Sequence, residues 1–211
     1  MQITILGAAG RIGKEVVKEA LKAGYQVKVL VRNPDKLGEL KEKVEIVEGN
    51  LLDPLSVEKA MDGSRVVINL SGAAKEPDQV IKFQKIGKIL VEKLKEQGIT
   101  RLINISAAVA ILPNERLEFK RRVLRLITYL FYKEMKQVQD TVMAIILNEK
   151  DIDWTLIRPA FITDKKSTGK VLTSDRKLPG LSVTLQDLGE FIVEHVRSTQ
   201  WIKKAPMLAS K

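Results

Sequence analysis

A strand-like apolar run, Gln2–Leu6, passes directly into Gly7-Ala8-Ala9-Gly10-Arg11-Ile12-Gly13, and Arg11–Lys22 then reads as a helix. A strand that turns at once into a helix through closely spaced glycines commits the chain to a crossover architecture. The glycines let the backbone turn tightly and approach a pyrophosphate, and the helix N-terminus adds free N–H groups and a positive dipole end. The spacing is G-x-x-G-x-x-G rather than G-x-G-x-x-G. Its weight comes from the strand before it and the helix after it.

The rest of the chain keeps the same rhythm. Further strands are expected at 26–31, 44–47, 65–70, 101–105 and 154–158. They are short and continuously apolar, as in Val66-Val67-Ile68, the pattern of strands covered on both faces. Helices are expected at 54–61, 78–97, within 115–148, and at 185–198. Gly24, Gly63 and Gly98 stand just past helix ends, and Asp53-Pro54 reads as an N-cap followed by proline at the first helical position. This alternation predicts an α/β fold, a doubly wound parallel sheet of the Rossmann type in three αβα layers, with the first strand central. Residues 1–211 read as one domain with no internal repeat or linker.

The stretch from Pro113 to Asn148 holds more helix than one crossover needs, a long helical insertion after the fifth strand. Leu117, Leu124, Ile127 and Phe131 fall on one face, with Lys120, Arg121, Arg122 and Arg125 elsewhere. It could pack on the core, close over a substrate, dock a partner, or lie on a membrane as a basic amphipathic helix.

Composition excludes several chemistries. The chain has no cysteine and a single histidine, His195, so thiolate sites, disulfides and multi-histidine metal centres are ruled out. The net charge is +10, from 36 basic and 26 acidic residues, largely interspersed along helices. Nucleic-acid binding is not expected, because no RNP-like or zinc-finger motif accompanies the charge. No run approaches the length of a membrane span, and no leader precedes the first strand, so the expected location is cytoplasmic. Asn69-Leu70-Ser71 and Asn104-Ile105-Ser106 match a glycosylation pattern, but both fall at strand ends.

Arg32 closes the second strand, 25 positions after Gly7. An acidic residue near this place accepts from the ribose 2′-hydroxyl of NAD; a cation suits the 2′-phosphate of NADP. No acidic residue lies between Val27 and Pro34, so NADP(H) is preferred over NAD(H). Gly49-Asn50-Leu51 ends the third strand, where Asn50 could face an adenine edge. Leu70-Ser71-Gly72-Ala73 ends the fourth, where small residues let the backbone run close to a cofactor.

The glycine turn, Val31-Arg32-Asn33-Pro34, Ile103-Asn104-Ile105-Ser106-Ala107-Ala108, Asp153-Trp154-Thr155-Leu156-Ile157-Arg158-Pro159 and Val183-Thr184-Leu185-Gln186-Asp187-Leu188-Gly189-Glu190-Phe191 occur in this order. Together they resemble the atypical short-chain dehydrogenase/reductase group, in the branch of NmrA-like proteins and flavin/biliverdin-IXβ reductases. The resemblance covers essentially the whole chain. It implies that Gly7, Ala9, Gly10, Arg11, Ile12 and Gly13 hold a pyrophosphate and Arg32 a 2′-phosphate. It implies further that Asn50 and Leu51 border the adenine, that Ser71, Gly72 and Ala73 line the ribose, and that Ser106, Pro159, Ala160 and Phe161 lie near the nicotinamide.

Many members of that group use a Tyr-x-x-x-Lys pair. Tyr132 and Lys136 spell it, and so do Tyr129 and Lys133. Counting back from Arg158-Pro159 by the branch's usual spacing instead puts Lys136 at the tyrosine position and Asp140 at the lysine position. The flavin-reductase branch lacks the pair. Hydride there passes directly to the bound acceptor, and Ser106 is the residue placed to act. His195 reads as structural. The resulting expectation is a monomeric or homodimeric NADPH-dependent reductase of a flavin, quinone or similar small acceptor. A non-catalytic NADP(H)-binding sensor or assembly factor is the other reading.

Overall fold

In the computed structural model the described residues are 1–72, 78–113, 115–116 and 118–211, with the backbone alone at 120, 124, 127–132 and 135. The chain runs β1 (Gln2–Leu6), α1 (Arg11–Lys22), β2 (Gln26–Val31), a kinked 3-10 stretch (Pro34–Lys43), β3 (Glu45–Glu48), α2 (Pro54–Met61) and β4 (Val66–Asn69). It continues through α3 (Gln79–Glu96), β5 (Arg101–Ile105), α4 (Phe119–Leu147), β6 (Asp153–Pro159), β7 (Phe161–Thr163), β8 (Val171–Ser174), β9 (Ser182–Thr184), α5 (Leu185–Glu194) and β10 (Met207–Ser210). The main sheet has the order β3-β2-β1-β4-β5-β6-β10-β8, and β7 pairs with β9 in a small second sheet. Every pairing from β3 to β10 is parallel; only β8 joins antiparallel, at the edge. This is the doubly wound order, with its switch point beside β1 and β4.

The alternation of side chains along the strands makes the three layers. Ile3 and Ile5 point to one face, where Val16, Val17 and Ala20 of α1 meet Leu188, Phe191 and Ile192 of α5. Leu6 and Leu30 point to the other, against Val57 and Met61 of α2, Leu90 and Leu94 of α3, and Val142 and Ile146 of α4. β4 and β5 are buried along their whole length, which is why they carry no polar alternation. Asp53 caps α2 as expected, accepting from the N–H groups of Leu55 and Ser56 at 3.2 Å each. Gly24, Gly63 and Gly98 take positive φ.

Two parts of the fold depart from the expectation. β7, β8, β9 and β10 add strands beyond the six read from sequence. They are three or four residues long, too short to show a period, and β10 contains Met, Leu and Ala, which favour helices. The last helix ends at Glu194, with His195 as its C-cap, rather than at Ser198. The long insertion is helical as expected, a 29-residue helix, α4. The apolar stripe read on it, Leu117, Leu124, Ile127 and Phe131, lies outside the described residues or side chains. No helix among the described residues is long and apolar enough to cross a membrane.

Candidate functional site

The turn between β1 and α1 accepts only glycine at two places. Gly7 has φ +80°, and a Cβ there would stand 2.8 Å from the backbone C of Leu70 and N of Ser71. A Cβ on Gly13 would stand 2.2 Å from the Gly7 carbonyl oxygen. Glycine therefore lets β4 and α1 close on the turn. Gly10 is the N-cap of α1 and offers no side-chain cap, and no acidic residue lies in the first turn. The N–H groups of Arg11, Ile12 and Gly13 have no acceptor within the helix. The helix end is left positive and donor-rich, as an anion requires.

A cleft of about 410 Å³ opens on this turn. Of the residues expected to hold cofactor, Gly7, Ala9, Gly10, Arg32, Asn50, Leu51, Ser71 and Gly72 line it. Arg32 is exposed at its rim and makes no ion pair among the described residues. The nearby Asp35 is engaged by Lys41 at 2.9 Å, which holds its carboxyl below the usual range through a hydrogen bond and charge attraction. Asn50 forms a local turn, its side chain accepting from the N–H of Leu52 at 3.0 Å.

Sequence reasoning missed one wall and one support. The wall is the start of α3: Gln79, Lys82, Phe83 and Ile86 all line the cleft. Its signal was the i, i+3 pair Phe83 and Ile86 at the beginning of a helix after β4. The support is the amide pair set aside as a glycosylation pattern. Asn69 Nδ2 donates to Asn104 Oδ1 at 2.7 Å, and Asn69 Oδ1 accepts from Ser71 N and Oγ at 3.2 and 2.6 Å. Two strand-end asparagines thus fix Ser71 at the cleft.

The remaining expected residues lie elsewhere. Gly13 is buried behind the turn and Ile12 packs against the core. Arg11 reaches the opposite way: it donates to the Ile162 carbonyl at 2.9 Å and faces Asp164 at 3.6 Å. It ties the glycine turn to β7 rather than lining the cleft. Ser106, Pro159, Ala160 and Phe161 do not line the cleft either; they gather at the carboxyl ends of β5 and β6. Ser106 N donates to Ile157 O at 2.8 Å, and Ala108 N to Pro159 O at 3.0 Å. Asn69 and Asn104 are register partners, so Ser71 and Ser106 each stand two residues past that pair on adjacent strands. The Ser106 Oγ is buried and has no hydrogen-bond partner among the described residues. Ala160 N is bound to Leu208 O at 3.0 Å, and Phe161 is 60% exposed. Ala73 lies outside the described residues, as do the side chains of Tyr129 and Tyr132. Lys136 is held by Asp140 at 2.6 Å, one helical turn on.

Behind Ser106 lies a charged cluster that sequence spacing does not reveal. Arg121 and Arg158 are fully buried and share Glu115. Arg121 Nη1 donates to Glu115 at 2.7 Å, and Arg158 Nη1 donates to its two oxygens at 3.0 and 2.8 Å. Both arginines also donate to the Ala110 carbonyl, and Arg121 Nε donates to that of Ala108. Burial pushes the Glu115 carboxyl up, and its two arginine partners more than reverse this, leaving it below its ordinary value. Burial lowers Arg158, with Glu115 opposing the shift. The cluster fixes the segment that follows Ser106. His195 is structural: Nδ1 lies 2.8 Å from Phe191 O and its ring stacks on Phe191.

A glycine turn, a bare helix end and a cleft at the switch point of a doubly wound sheet define a dinucleotide-binding protein. The chain belongs to the NAD(P)H-binding Rossmann family, whose model matches residues 7–199. The uncharacterized protein YwnB of Bacillus subtilis is 32% identical over 176 residues, 80% of this chain and 77% of its own. The photosystem II assembly factor Ycf39 of Cyanophora paradoxa is 37% identical over 109 residues, half of this chain. That match spans 34% of Ycf39 itself, about a third of its length. Among solved structures, the oxidoreductase ylbE of Lactococcus lactis superposes with a TM-score of 0.81 at 22% identity, covering 100% of this chain and 91% of its own. The anaerobillin reductase ChuY of Escherichia coli O157:H7 gives 0.82 at 16% identity, over 100% and 97%. At these identities the two structures show the same fold. The residues present fit a nicotinamide dinucleotide, because the uncapped N-terminus of α1 meets the cleft at Gly10 and the space beside Gly72 in the cleft wall is open where a Cβ would stand.

Proposed function

We propose that the protein is a cytoplasmic NADPH-dependent oxidoreductase that passes hydride to a flavin, quinone or similar conjugated acceptor. Bound NADPH supplies the hydride; the chain supplies position. The N-terminus of α1 takes the pyrophosphate, Arg32 the 2′-phosphate, and Asn50 and Leu51 border the adenine. Ser71 and Gly72 lie along the ribose. Ser106, with Pro159 and Ala160 beside it, serves the nicotinamide and the acceptor, donating a hydrogen bond to a carboxamide or acceptor carbonyl. The observation that carries this reading is the buried Ser106 hydroxyl with no partner among the described residues. Such a group costs free energy unless a ligand satisfies it.

A second reading rests on Lys136 and Asp140. Their ion pair stands where the Tyr-x-x-x-Lys pair is placed by spacing, so the chain could bind NADP(H) as a sensor or assembly factor. The similarity to Ycf39, named as an assembly factor, favours the same reading. One experiment separates them: an NADPH binding titration alongside steady-state NADPH oxidation with FMN, riboflavin and a simple quinone. Turnover of an acceptor that falls at least tenfold in Ser106→Ala supports the reductase. Tight NADPH binding with no turnover of any acceptor overturns it in favour of the sensor.

A further inference from the structure

The strongest unassigned feature is an apolar and basic surface around the start of α4. Phe119, Val123 and Leu126 are 77%, 43% and 60% exposed. Their spacing of i, i+4, i+7 puts them on one stripe of the helix, about 10 Å long. The opposite side of the same turns is anchored, since Arg121 is fully buried in the Glu115 cluster. The stripe therefore faces outward by construction. It continues onto the neighbouring segment. Leu178 N donates to Glu118 Oε2 at 3.2 Å, and Phe161 N donates to Leu181 O at 3.1 Å. Phe161 and Leu181 are themselves 60% and 68% exposed. Large apolar side chains grouped in this way on a surface mark an interaction site.

The charges around them say what the site meets. Arg116 and Arg122 on the α4 side, Lys165 and Lys166 after β7, and Arg176 and Lys177 after β8 are all exposed, and they outnumber the acids among them, Glu118, Asp175 and Asp164, the last of which faces Arg11. A chain of net charge +10 adds to the same field. A second copy of this chain would set these cations against one another, because a two-fold interface opposes each patch to itself. An anionic lipid surface answers both halves of the pattern. Its headgroups neutralise the Lys and Arg, and its acyl boundary takes the Phe and Leu side chains.

We infer that the α4 stripe and the β7–β9 edge dock the protein peripherally on anionic membranes. Phe119, Leu126, Phe161 and Leu181 insert, and the flanking cations contact the headgroups. The inference stands apart from the proposed redox reaction, since it requires neither cofactor nor turnover.

The test is co-sedimentation of the full chain with vesicles of equal parts phosphatidylglycerol and phosphatidylcholine, against phosphatidylcholine alone, over a salt series. Binding is expected on the anionic vesicles and to weaken with salt. Phe119→Ser/Leu126→Ser is expected to lower partitioning at least tenfold with the unfolding temperature unchanged. Lys165→Gln/Lys166→Gln, in an exposed loop, is expected to lower it about fivefold for each cation removed. No sedimentation with anionic vesicles at low salt would overturn the inference. So would equal binding by wild type and the Phe119→Ser/Leu126→Ser variant. A lipid-free dimer that this variant converts to monomer would overturn it in favour of self-association.

Discussion

Glu115→Gln tests whether the segment that follows Ser106 is held by charge. The side chain keeps its size, and its carbonyl oxygen can still accept. What is lost is the anion between two fully buried guanidinium groups. Wild-type Glu115 accepts from Arg121, from Arg158 through both oxygens, and from the N–H of Leu112 at 3.0 Å. Gln places an amide N–H₂ against a guanidinium on one side and leaves two cations uncompensated. Breaking a buried ion pair by removing one partner costs about 3–5 kcal/mol. For a chain of this size each kcal/mol moves the unfolding temperature by roughly 2–4 °C, so a fall of about 6–20 °C is expected by circular dichroism. Glu118→Gln, which alters a single half-buried acceptor, is expected to cost about 1 kcal/mol. The sign with pH follows from the lowered Glu115 pKa. Its stabilisation is present above the ordinary carboxylate range and is lost as pH falls through the depressed value, so the gap between wild type and variant narrows in acid. Replacing all three charges by apolar groups, as Glu115→Leu/Arg121→Met/Arg158→Met, is expected to recover most of the loss. A Glu115→Gln unfolding temperature within about 3 °C of wild type would refute the reasoning, since it would mean that water reaches the arginines.

Three further outcomes are expected. Arg32→Ala should weaken NADPH binding by about 1.5–3 kcal/mol, the scale of a hydrogen bond to a charged group, and leave NADH binding nearly unchanged; equal losses in calorimetric titrations would remove its 2′-phosphate role. Gly7→Ala forces a side chain into the left-handed region at about 1–2 kcal/mol and against the Leu70–Ser71 backbone, so both unfolding temperature and cofactor affinity should drop. An unaltered affinity would show that the turn is not the pyrophosphate site. Asp187→Asn should cost about 2 kcal/mol at neutral pH. Burial pushes the Asp187 carboxyl up, but hydrogen bonds led by Ser167, Ser210 and Thr184 bring it down to about 2. Because the folded pKa is depressed, urea titrations should show the full difference above the ordinary aspartate pKa, and its loss as pH falls toward 2.

The half proposed to bind cofactor was legible because it is built locally. Gly7, Gly10 and Gly13 lie within one turn of chain, and the strand before and helix after them are written in adjacent residues. Arg32, Asn50 and Ser71 each stand at the carboxyl end of a strand, so finding the strands located residues that line the cleft. α3 contributed Gln79, Lys82, Phe83 and Ile86 without being foreseen. A crossover helix was expected there, and the Phe83 and Ile86 pair marks an apolar face on it, but only the packed fold turns that face into the cleft. Arg11 stands apart from the cleft for a related reason. Its position in the turn fits a phosphate, yet its guanidinium is drawn to Ile162 and Asp164, some 150 residues later in the chain.

The half proposed to meet the acceptor is made of long-range meetings, and that is why its residues resist reading from sequence. Arg158 belongs to a strand and Arg121 to a helix 37 positions earlier, yet both serve Glu115. The support of the cleft is of the same kind, since Asn69 and Asn104 become neighbours only through the register of β4 against β5. Phe161 and Leu181 share a surface because β7 pairs with β9, two strands too short to leave a period. The division has a functional consequence. A dinucleotide is recognised largely through main-chain N–H groups, so its site is conveyed by glycine spacing and strand order. An acceptor must be recognised by side chains gathered from distant segments, so two chains can share the first half and differ in the second. Substitutions around Ser106 and Glu115 should therefore change which acceptor is used while NADPH affinity holds, and substitutions at Gly7 or Arg32 should do the reverse. Acceptor KM and cofactor Kd measured on both sets would expose any variant that moves the two together, and such coupling would mean that the halves form one site.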